Sequence, residues 1–229
     1  MSPAPRQDRL TPALLRQGLA AAAATDPDLA DGLAKAGPPA ELRTVEPGLP
    51  GLLRIVVGQQ VSAASARAIW GRIEAEVAPL DAPALLRALD EQPPPALGLS
   101  RPKRACARGL AEAVLAGRFD PAALAALPDA AAAAAITGLK GFGPWSAAIY
   151  LLFALGRPDA WPAADLALAV AIQRMKRLIT RPNRLEMDRI AESWRPWRGA
   201  VATFLWHYYH HTGGQQQFAD RNSIRMGTE

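Results

Sequence analysis

The 229-residue sequence contains a single cysteine, Cys106. One cysteine excludes a disulfide within the chain, and it also excludes an iron–sulfur cluster held by four cysteines. We therefore interpret Cys106 as a small buried side chain. Long apolar runs are missing too, and the first residues include Pro3, Pro5 and Arg6 where a signal peptide would be apolar. These absences predict a soluble, cytoplasmic protein that does not enter a membrane.

Lysine is scarce as well, because only four of the 26 basic residues are Lys and the others are Arg. This bias, with the abundance of Ala and Pro, suggests a GC-rich genome, and we expect a bacterial source. The net charge of +5 and the pI near 9.9 suit a protein that binds phosphate. Lys103, Arg104 and Arg108 lie near the start of one predicted helix, where cations oppose the helix dipole. They indicate either an external anion or surface charge, and we favour surface charge.

Half of the residues are hydrophobic, mostly Ala and Leu, and this composition favours helices over sheet. Apolar residues recur at helical spacing along most of the chain, while no stretch strongly indicates a strand. We therefore predict an all-α protein of about ten helices. Residues 1–9 are predicted to be a disordered start, residues 10–211 a helical domain, and residues 212–229 a frayed tail.

Capping residues and turns divide the helical region. Thr11 and Asp26 are predicted to cap the first two helices, and the longest uninterrupted helix is predicted from Leu52 to Glu76. One further helix is predicted to begin at Asp120. The others are predicted over residues 102–117, 130–136, 144–155, 165–179, 185–193 and 199–211.

The most informative stretch surrounds Gly141-Phe142-Gly143-Pro144. Its glycines allow a tight turn with exposed amides, and Pro is a favoured first residue of the helix that follows. Unpaired N–H groups and the positive end of a helix then meet at one point, which suits an anion such as a nucleic-acid phosphate. A Gly-x-Gly alone is also typical of an ordinary turn between packed helices.

The segment Leu139–Ala147, followed by Asp165 in Pro162-Ala-Ala-Asp165, resembles the helix-hairpin-helix DNA glycosylases, specifically the 3-methyladenine DNA glycosylase II branch. The resemblance covers residues 45–211. It implies two helical subdomains with an active-site cleft between them, in the compact form that lacks an extra N-terminal α/β domain. The helix-hairpin-helix motif would span residues 129–155.

In this family the hairpin grips a DNA phosphate. The resemblance therefore implies phosphate contacts from Lys140, Gly141, Phe142, Gly143 and Ser146. Family hairpins can also bind a monovalent cation through backbone carbonyls, which here would be those of Thr137, Leu139 and Phe142. No other cofactor is implied.

Asp165 stands where a helix is predicted to begin, and Asp is a favoured N-cap, so its position alone indicates a capping role. The resemblance implies that Asp165 is the catalytic carboxylate. An anion fixed beside C1′ stabilises the oxocarbenium character that develops when the N-glycosidic bond breaks. Asp165 could equally orient or deprotonate the attacking water, and the sequence leaves both roles open.

Relatives that also cut the DNA strand place a Lys nucleophile at the position that Trp145 occupies here. Without that amine no Schiff base forms and water is the nucleophile, so the resemblance implies a monofunctional enzyme. Trp145 and Trp206 match family positions that line the pocket for the flipped base, and Gln59 matches a segment near the DNA. Two family tyrosines are replaced here, by Ile149 and Leu166.

Indole faces attract cationic alkylated bases more than neutral ones. Trp70 and Trp194 are instead interpreted as core residues. His207, His210 and His211 share one helix face, but no carboxylate or thiol nearby completes a metal site. The sequence does not locate the side chain that would be inserted into the DNA.

The resulting interpretation is a monomeric DNA-repair glycosylase that releases alkylated purines, of the 3-methyladenine and 7-methylguanine class, from damaged duplex DNA. Two alternatives remain. The first is a monofunctional glycosylase for another lesion, such as hypoxanthine or uracil. The second is a non-catalytic protein that uses the hairpin only to bind DNA.

Overall fold

The computed structural model describes residues 9–213, and all regular structure in that range is helical. It comprises twelve α-helices and one 3-10 helix, which confirms the predicted all-α class. None of these helices is long and apolar enough to span a membrane. The chain divides into two compact units, one built from Met1–Arg43 and Gly156–Glu229 and the other from Thr44–Leu155. The predicted disordered start and frayed tail lie outside the described residues, apart from residues 9, 212 and 213.

The first unit is built around its last helix, which is buried along most of its length. Helices from both ends of the chain pack against it. Trp194 and Phe204 are fully buried there, so Trp194 is a core residue as predicted. The helices of this unit are α1 Pro12–Thr25, α2 Pro27–Ala36, α10 Leu166–Met175, α11 Arg184–Glu192 and α12 Arg198–His211.

Asp26 joins three segments of the first unit. As the N-cap of α2 it accepts hydrogen bonds from the amides of Asp28 and Leu29, at 3.1 and 3.3 Å. Lys176 Nζ lies 2.9 and 2.8 Å from its two oxygens, and Trp194 Nε1 donates to Oδ2 at 2.8 Å. Burial by itself raises the pKa of Asp26, but the bonds from Lys176 and Trp194 outweigh it and the pKa is lowered. The ionised carboxylate is therefore the stable form.

The second unit contains the predicted hairpin. Its ends meet where the amide of Val45 donates to the carbonyl of Phe153 at 2.9 Å. The helices are α3 Leu49–Gly58, α4 Ala63–Glu76, α5 Ala82–Glu91, α6 Pro94–Leu97, α7 Arg101–Leu115, α8 Asp129–Thr137 and α9 Pro144–Phe153, with the 3-10 helix at Ala123–Ala126. Eight consecutive residues of α9, from 146 to 153, are buried, because this helix is apolar all round.

The predicted uninterrupted helix from Leu52 to Glu76 is wrong. The chain leaves the helix after Gly58, and Gln60 adopts the left-handed backbone conformation, with φ of +54°. Ser62 then caps α4 by accepting a hydrogen bond from the Ser65 amide at 3.1 Å. Apolar spacing continues across this break, so periodicity alone could not reveal it. The capping residue Ser62 was the available signal.

Other boundaries also differ from the predictions. The helix expected at Asp120 is only a short 3-10 helix, and the one that follows Asp165 ends at Met175, since Arg177 has a φ of +54°. Helix α5 was not predicted, although Asp81 caps it by accepting from the Ala84 amide at 2.8 Å.

The cations at the start of α7 are not mere surface charge. Lys103 Nζ donates to the carbonyl of Val57 at 2.7 Å, and Arg104 donates to the carbonyls of Leu89 and Gln92. These carbonyls lie at the C-terminal ends of α3 and α5, where the last carbonyls of a helix have no intrahelical hydrogen-bond donors. Burial lowers the pKa of Lys103. Both cations therefore fix neighbouring helices, while Arg108 forms an ion pair with Asp90.

Candidate active site

The hairpin joins α8 to α9, and its two glycines differ in what they require. Gly141 has a φ of +91°, and a Cβ there would lie 2.7 Å from Cys106 Sγ, so both conformation and space demand glycine. Gly143 has a φ of −92°, and a Cβ there would meet nothing within 4 Å. The fold therefore tolerates a side chain at Gly143. Because Gly143 has no side chain, the start of α9 stays accessible.

Cys106 supports the hairpin from below. It is buried, as predicted, and burial raises the pKa of its thiol to about 11. A neutral thiol against Gly141 is a packing element and not a nucleophile.

The start of α9 has the features of an anion site. Gly143 is its N-cap and makes no side-chain capping bond, and Pro144 occupies the first turn. The first amides of the helix and its positive end point in the same direction. Lys140, Gly141 and Gly143 are exposed beside them, so the structure brings these predicted phosphate contacts together.

Two other predicted phosphate contacts are buried. Phe142 is 4% exposed, and its amide donates to the carbonyl of Leu139 at 3.1 Å, which closes the turn. Ser146 is 3% exposed and accepts a hydrogen bond from Gln59 Nε2 at 3.1 Å. Both side chains stabilise the hairpin from within. A direct bond from either to a phosphate stays a prediction.

Gln59 lies against the hairpin. Besides Ser146, its Nε2 donates to the carbonyl of Gly141 at 3.2 Å. The sequence placed Gln59 in the base pocket, and the hairpin contact is one that the sequence did not reveal. Trp145 follows two residues after Gly143 and is half-buried. Base contacts of Gln59 and Trp145 stay predictions.

Asp165 caps α10, as its position indicates, and the cap leaves a half-buried carboxylate at the helix start. Its Oδ1 accepts from the Leu168 amide at 3.0 Å and from Trp206 Nε1 at 3.2 Å. The two donors thus fix the position and orientation of the carboxylate. Capping and catalysis are compatible roles, because a rigid anion is what a positively charged transition state requires.

Trp206 therefore contacts the predicted catalytic group itself. It is half-buried on α12, and Tyr209 lies one turn further along the same helix. Burial raises the pKa of Tyr209, Arg174 opposes that rise, and the nearby Asp165 carboxylate adds to it. Tyr209 was missed from the sequence. Its spacing of three residues from Trp206 was the available signal, since such residues share a helix face.

The two positions that depart from the family pattern differ in exposure. Ile149 is 7% exposed and belongs to the core of its unit, whereas Leu166, directly after Asp165, is 42% exposed. Leu166 is thus an apolar surface next to the carboxylate.

Among residues 9–213 no group of His, Cys, Asp or Glu is arranged to hold a metal ion. His207 Nε2 lies 3.0 Å from the carbonyl of Ala36.

The chain is similar to known DNA glycosylases in sequence and in fold. No protein-family model matches the chain. It is 29% identical over 158 residues to DNA-3-methyladenine glycosylase 1 of Schizosaccharomyces pombe, which covers 68% of this chain and 69% of that protein. The solved structure of the S. pombe 3-methyladenine DNA glycosylase in complex with abasic DNA matches with a TM-score of 0.75 and 24% identity, over 83% of this chain and 95% of that one.

A DNA-3-methyladenine glycosidase from Bacillus halodurans matches with a TM-score of 0.68 and 25% identity, over 82% of this chain and 87% of that one. The fold is thus shared with both solved structures over most of their length.

Proposed function

Because the chain belongs to the helix-hairpin-helix DNA glycosylase superfamily, we propose that it is a DNA-repair glycosylase of the 3-methyladenine class. It flips an alkylated purine out of duplex DNA and hydrolyses the bond between base and deoxyribose. Extrusion is necessary because C1′ cannot be reached inside the base stack. The product is an abasic site in an intact strand, and the enzyme acts as a monomer in the compartment that holds the genome.

The observation that carries this proposal is the pair of hydrogen bonds that fix the Asp165 carboxylate. This carboxylate is held at the start of α10 by the Leu168 amide and the Trp206 indole N–H. When the glycosidic bond breaks, positive charge develops on the sugar, and a fixed anion stabilises that state more than the ground state. Water then attacks C1′ and loses a proton, for which Asp165 is the proposed acceptor.

Charge and shape are the proposed basis of substrate choice. A purine alkylated at a ring nitrogen is cationic, so it is attracted to indole faces and is a good leaving group without a general acid. Trp145 and Trp206 supply indoles, and Leu166 supplies an apolar surface beside Asp165. Leu166, in place of a family tyrosine, supplies no hydrogen-bonding group that could read the edge of a neutral base.

A monovalent cation is also proposed at the hairpin. Thr137 is the last residue of α8, where carbonyls lack intrahelical partners and the helix dipole is negative. With the carbonyls of Leu139 and Phe142 it forms an all-oxygen donor set, which suits a hard cation. When bound, such an ion adds positive charge near the DNA phosphate.

The test of function is a panel of duplexes that each contain one lesion: 7-methylguanine, a stable analogue of 3-methyladenine, hypoxanthine or uracil. We expect efficient release of the cationic bases and slow release of the neutral ones, measured as base release under single-turnover conditions. Preferred release of uracil or hypoxanthine would support the first alternative. Binding without release of any base would support the non-catalytic one.

The strand should stay intact in these reactions. Trp145 occupies the position where a lyase carries its Lys, so no Schiff base forms with the sugar. We expect base release to be detected only after alkali cleaves the abasic site, and borohydride to trap no covalent complex. A bifunctional glycosylase is the positive control for trapping. A trapped complex above background would contradict the monofunctional assignment.

Gly143 of the hairpin gives a matched pair of variants. Gly143→Asp adds bulk and negative charge at the anion site but meets open space in the protein, so the fold should survive. We expect duplex affinity to fall at least tenfold for damaged and undamaged DNA alike, measured by fluorescence anisotropy. Gly143→Ala, as the control for bulk, should lose less. Wild-type affinity in a folded Gly143→Asp protein would refute the phosphate site.

A further inference from the structure

We propose that Gln59 is the positioning residue of the DNA-binding hairpin, which it holds in the conformation that receives a phosphate. This inference rests on the proposed function only in assuming that the hairpin binds duplex DNA. It is distinct from the base-pocket role that the sequence suggested for Gln59, which stays a prediction. The side-chain amide lies outside the hairpin sequence, at the C-terminal end of α3, and contacts both the turn and the helix after it.

The peptide group between Gly141 and Phe142 is held by two hydrogen bonds. The carbonyl of Gly141 accepts from Gln59 Nε2 at 3.2 Å, and the amide of Phe142 in the same peptide donates to the carbonyl of Leu139 at 3.1 Å. In a trans peptide the C=O and N–H point in opposite directions. This peptide is therefore held at both ends, and it cannot rotate without breaking both bonds.

Rotation of this peptide matters because Gly141 has few steric restraints of its own. A glycine accepts conformations on both sides of the φ/ψ map, so the turn needs another constraint. If the peptide flipped, the Gly141 carbonyl would lose its hydrogen bond to Gln59, and its partly negative oxygen would point in the opposite direction. A carbonyl that faces the anion site would repel a phosphate. Gln59 makes the opposite orientation the stable one.

The side-chain amide of Gln59 has a second N–H, which contacts α9. Gln59 Nε2 carries two hydrogens, and the second acceptor is Ser146 Oγ at 3.1 Å, in the first turn of α9. One NH2 group therefore joins the turn to the helix whose N-terminus forms the anion site. Since Ser146 is 3% exposed, water competes poorly for this acceptor.

Gln59 can do this because its own backbone is fixed. Its amide donates to the carbonyl of Val56 at 3.3 Å, and the next carbonyl, of Val57, accepts from Lys103 on α7 at 2.7 Å. The same helix α7 places Cys106 under Gly141. The hairpin is thus seated between two helices, and Gln59 provides the polar part of that seat.

The experiment compares wild type with Gln59→Met, which has similar length but no donor. We expect affinity for an undamaged duplex to fall about tenfold, or about 1.4 kcal/mol. We also expect the slope of log affinity against log salt to lessen by about 0.9, the value for one phosphate contact. The affinity should fall by a larger factor than the single-turnover rate of base release at saturating protein, because the hairpin binds DNA and Asp165 is unchanged.

Gln59→Glu tests the same role without loss of polarity, since a carboxylate faces the Gly141 carbonyl but cannot donate to it. We expect an equal or larger loss of affinity. Gln92→Met is the matched control: Gln92 also donates from its side chain, to Glu76 at 3.1 Å, but on an exposed surface away from the hairpin. It should bind DNA like wild type.

Wild-type affinity and salt slope in both Gln59 variants would overturn the proposal. So would a slower saturated rate at unchanged affinity, which would return Gln59 to the base pocket. Because binding is measured on undamaged DNA, a wild-type protein that binds duplex but releases no base would refute the proposed function and leave this test intact.

Discussion

Asp165→Asn is expected to lower the single-turnover rate of base release by on the order of 100- to 1,000-fold, the usual cost of removing one electrostatic group from a transition state. The variant isolates charge. Asn is as good an N-cap as Asp, and its carbonyl oxygen can still accept from the Leu168 amide and from Trp206 Nε1. Only the negative charge beside the developing cation is lost.

Two controls separate catalysis from binding and folding. Affinity for undamaged duplex should match wild type, because the proposed phosphate contacts lie in the hairpin. The thermal unfolding temperature should also change little, since both capping bonds remain. A variant that keeps more than a tenth of the wild-type rate would remove Asp165 from the catalytic role.

Asp26→Ala is expected to have the largest effect on stability, a loss of about 4 kcal/mol in the free energy of unfolding. The change leaves the Lys176 ammonium, 18% exposed, and the buried Trp194 indole N–H without their acceptor. It also removes the cap of α2. Proteins of this size are stable by only about 5–15 kcal/mol, so the variant should be close to unfolding at 37 °C.

Urea denaturation followed by circular dichroism measures this effect. Asp26→Asn keeps an acceptor for Trp194 and for the α2 amides, so it should lose less than Asp26→Ala. Asp81→Ala is the matched control, because Asp81 caps α5 in the same way, at 2.8 Å, but without a buried ion pair. Equal losses for Asp26→Ala and Asp81→Ala would show that Asp26 acts only as a cap.

The same group predicts a dependence on pH. The pKa of Asp26 is lower in the folded protein than its ordinary value of about 4. Its contribution is therefore complete at neutral pH and is lost as the pH falls below that value and through the folded pKa. Asp26→Asn should show a smaller loss of stability between about pH 5 and about pH 3 than wild type does, measured by urea denaturation at each pH.

Local signals explain what could be predicted from the sequence. Gly141, Gly143 and Pro144 specify a turn and a helix start within four residues, and Asp165 marks a helix start by its capping preference. Such features depend on neighbours in the chain. For the same reason the helix boundaries at Thr11 and Asp26 were predicted correctly.

What could not be predicted depends on distant residues. The partners of Gln59 lie 82 and 87 residues away, and Trp206 reaches Asp165 across 41 residues. The break after Gly58 is invisible to periodicity because apolar residues continue on both sides. The sequence suggests that Lys103 and Arg104 are surface charges, whereas in the structure they donate to carbonyls at the ends of two other helices. These contacts exist only once the helices have packed.

The division of the chain into a continuous unit and a discontinuous one has a consequence for biosynthesis. The second unit is complete once Leu155 has left the ribosome, whereas Asp26 must wait for Lys176 and Trp194, which are 150 and 168 residues further along the chain. Because domains generally fold as units during synthesis, the hairpin can form co-translationally. The carboxylate proposed to act in the reaction is held in place only after Trp206 has been synthesised, so a nascent chain that ends at Leu155 carries the hairpin but lacks the proposed catalytic group.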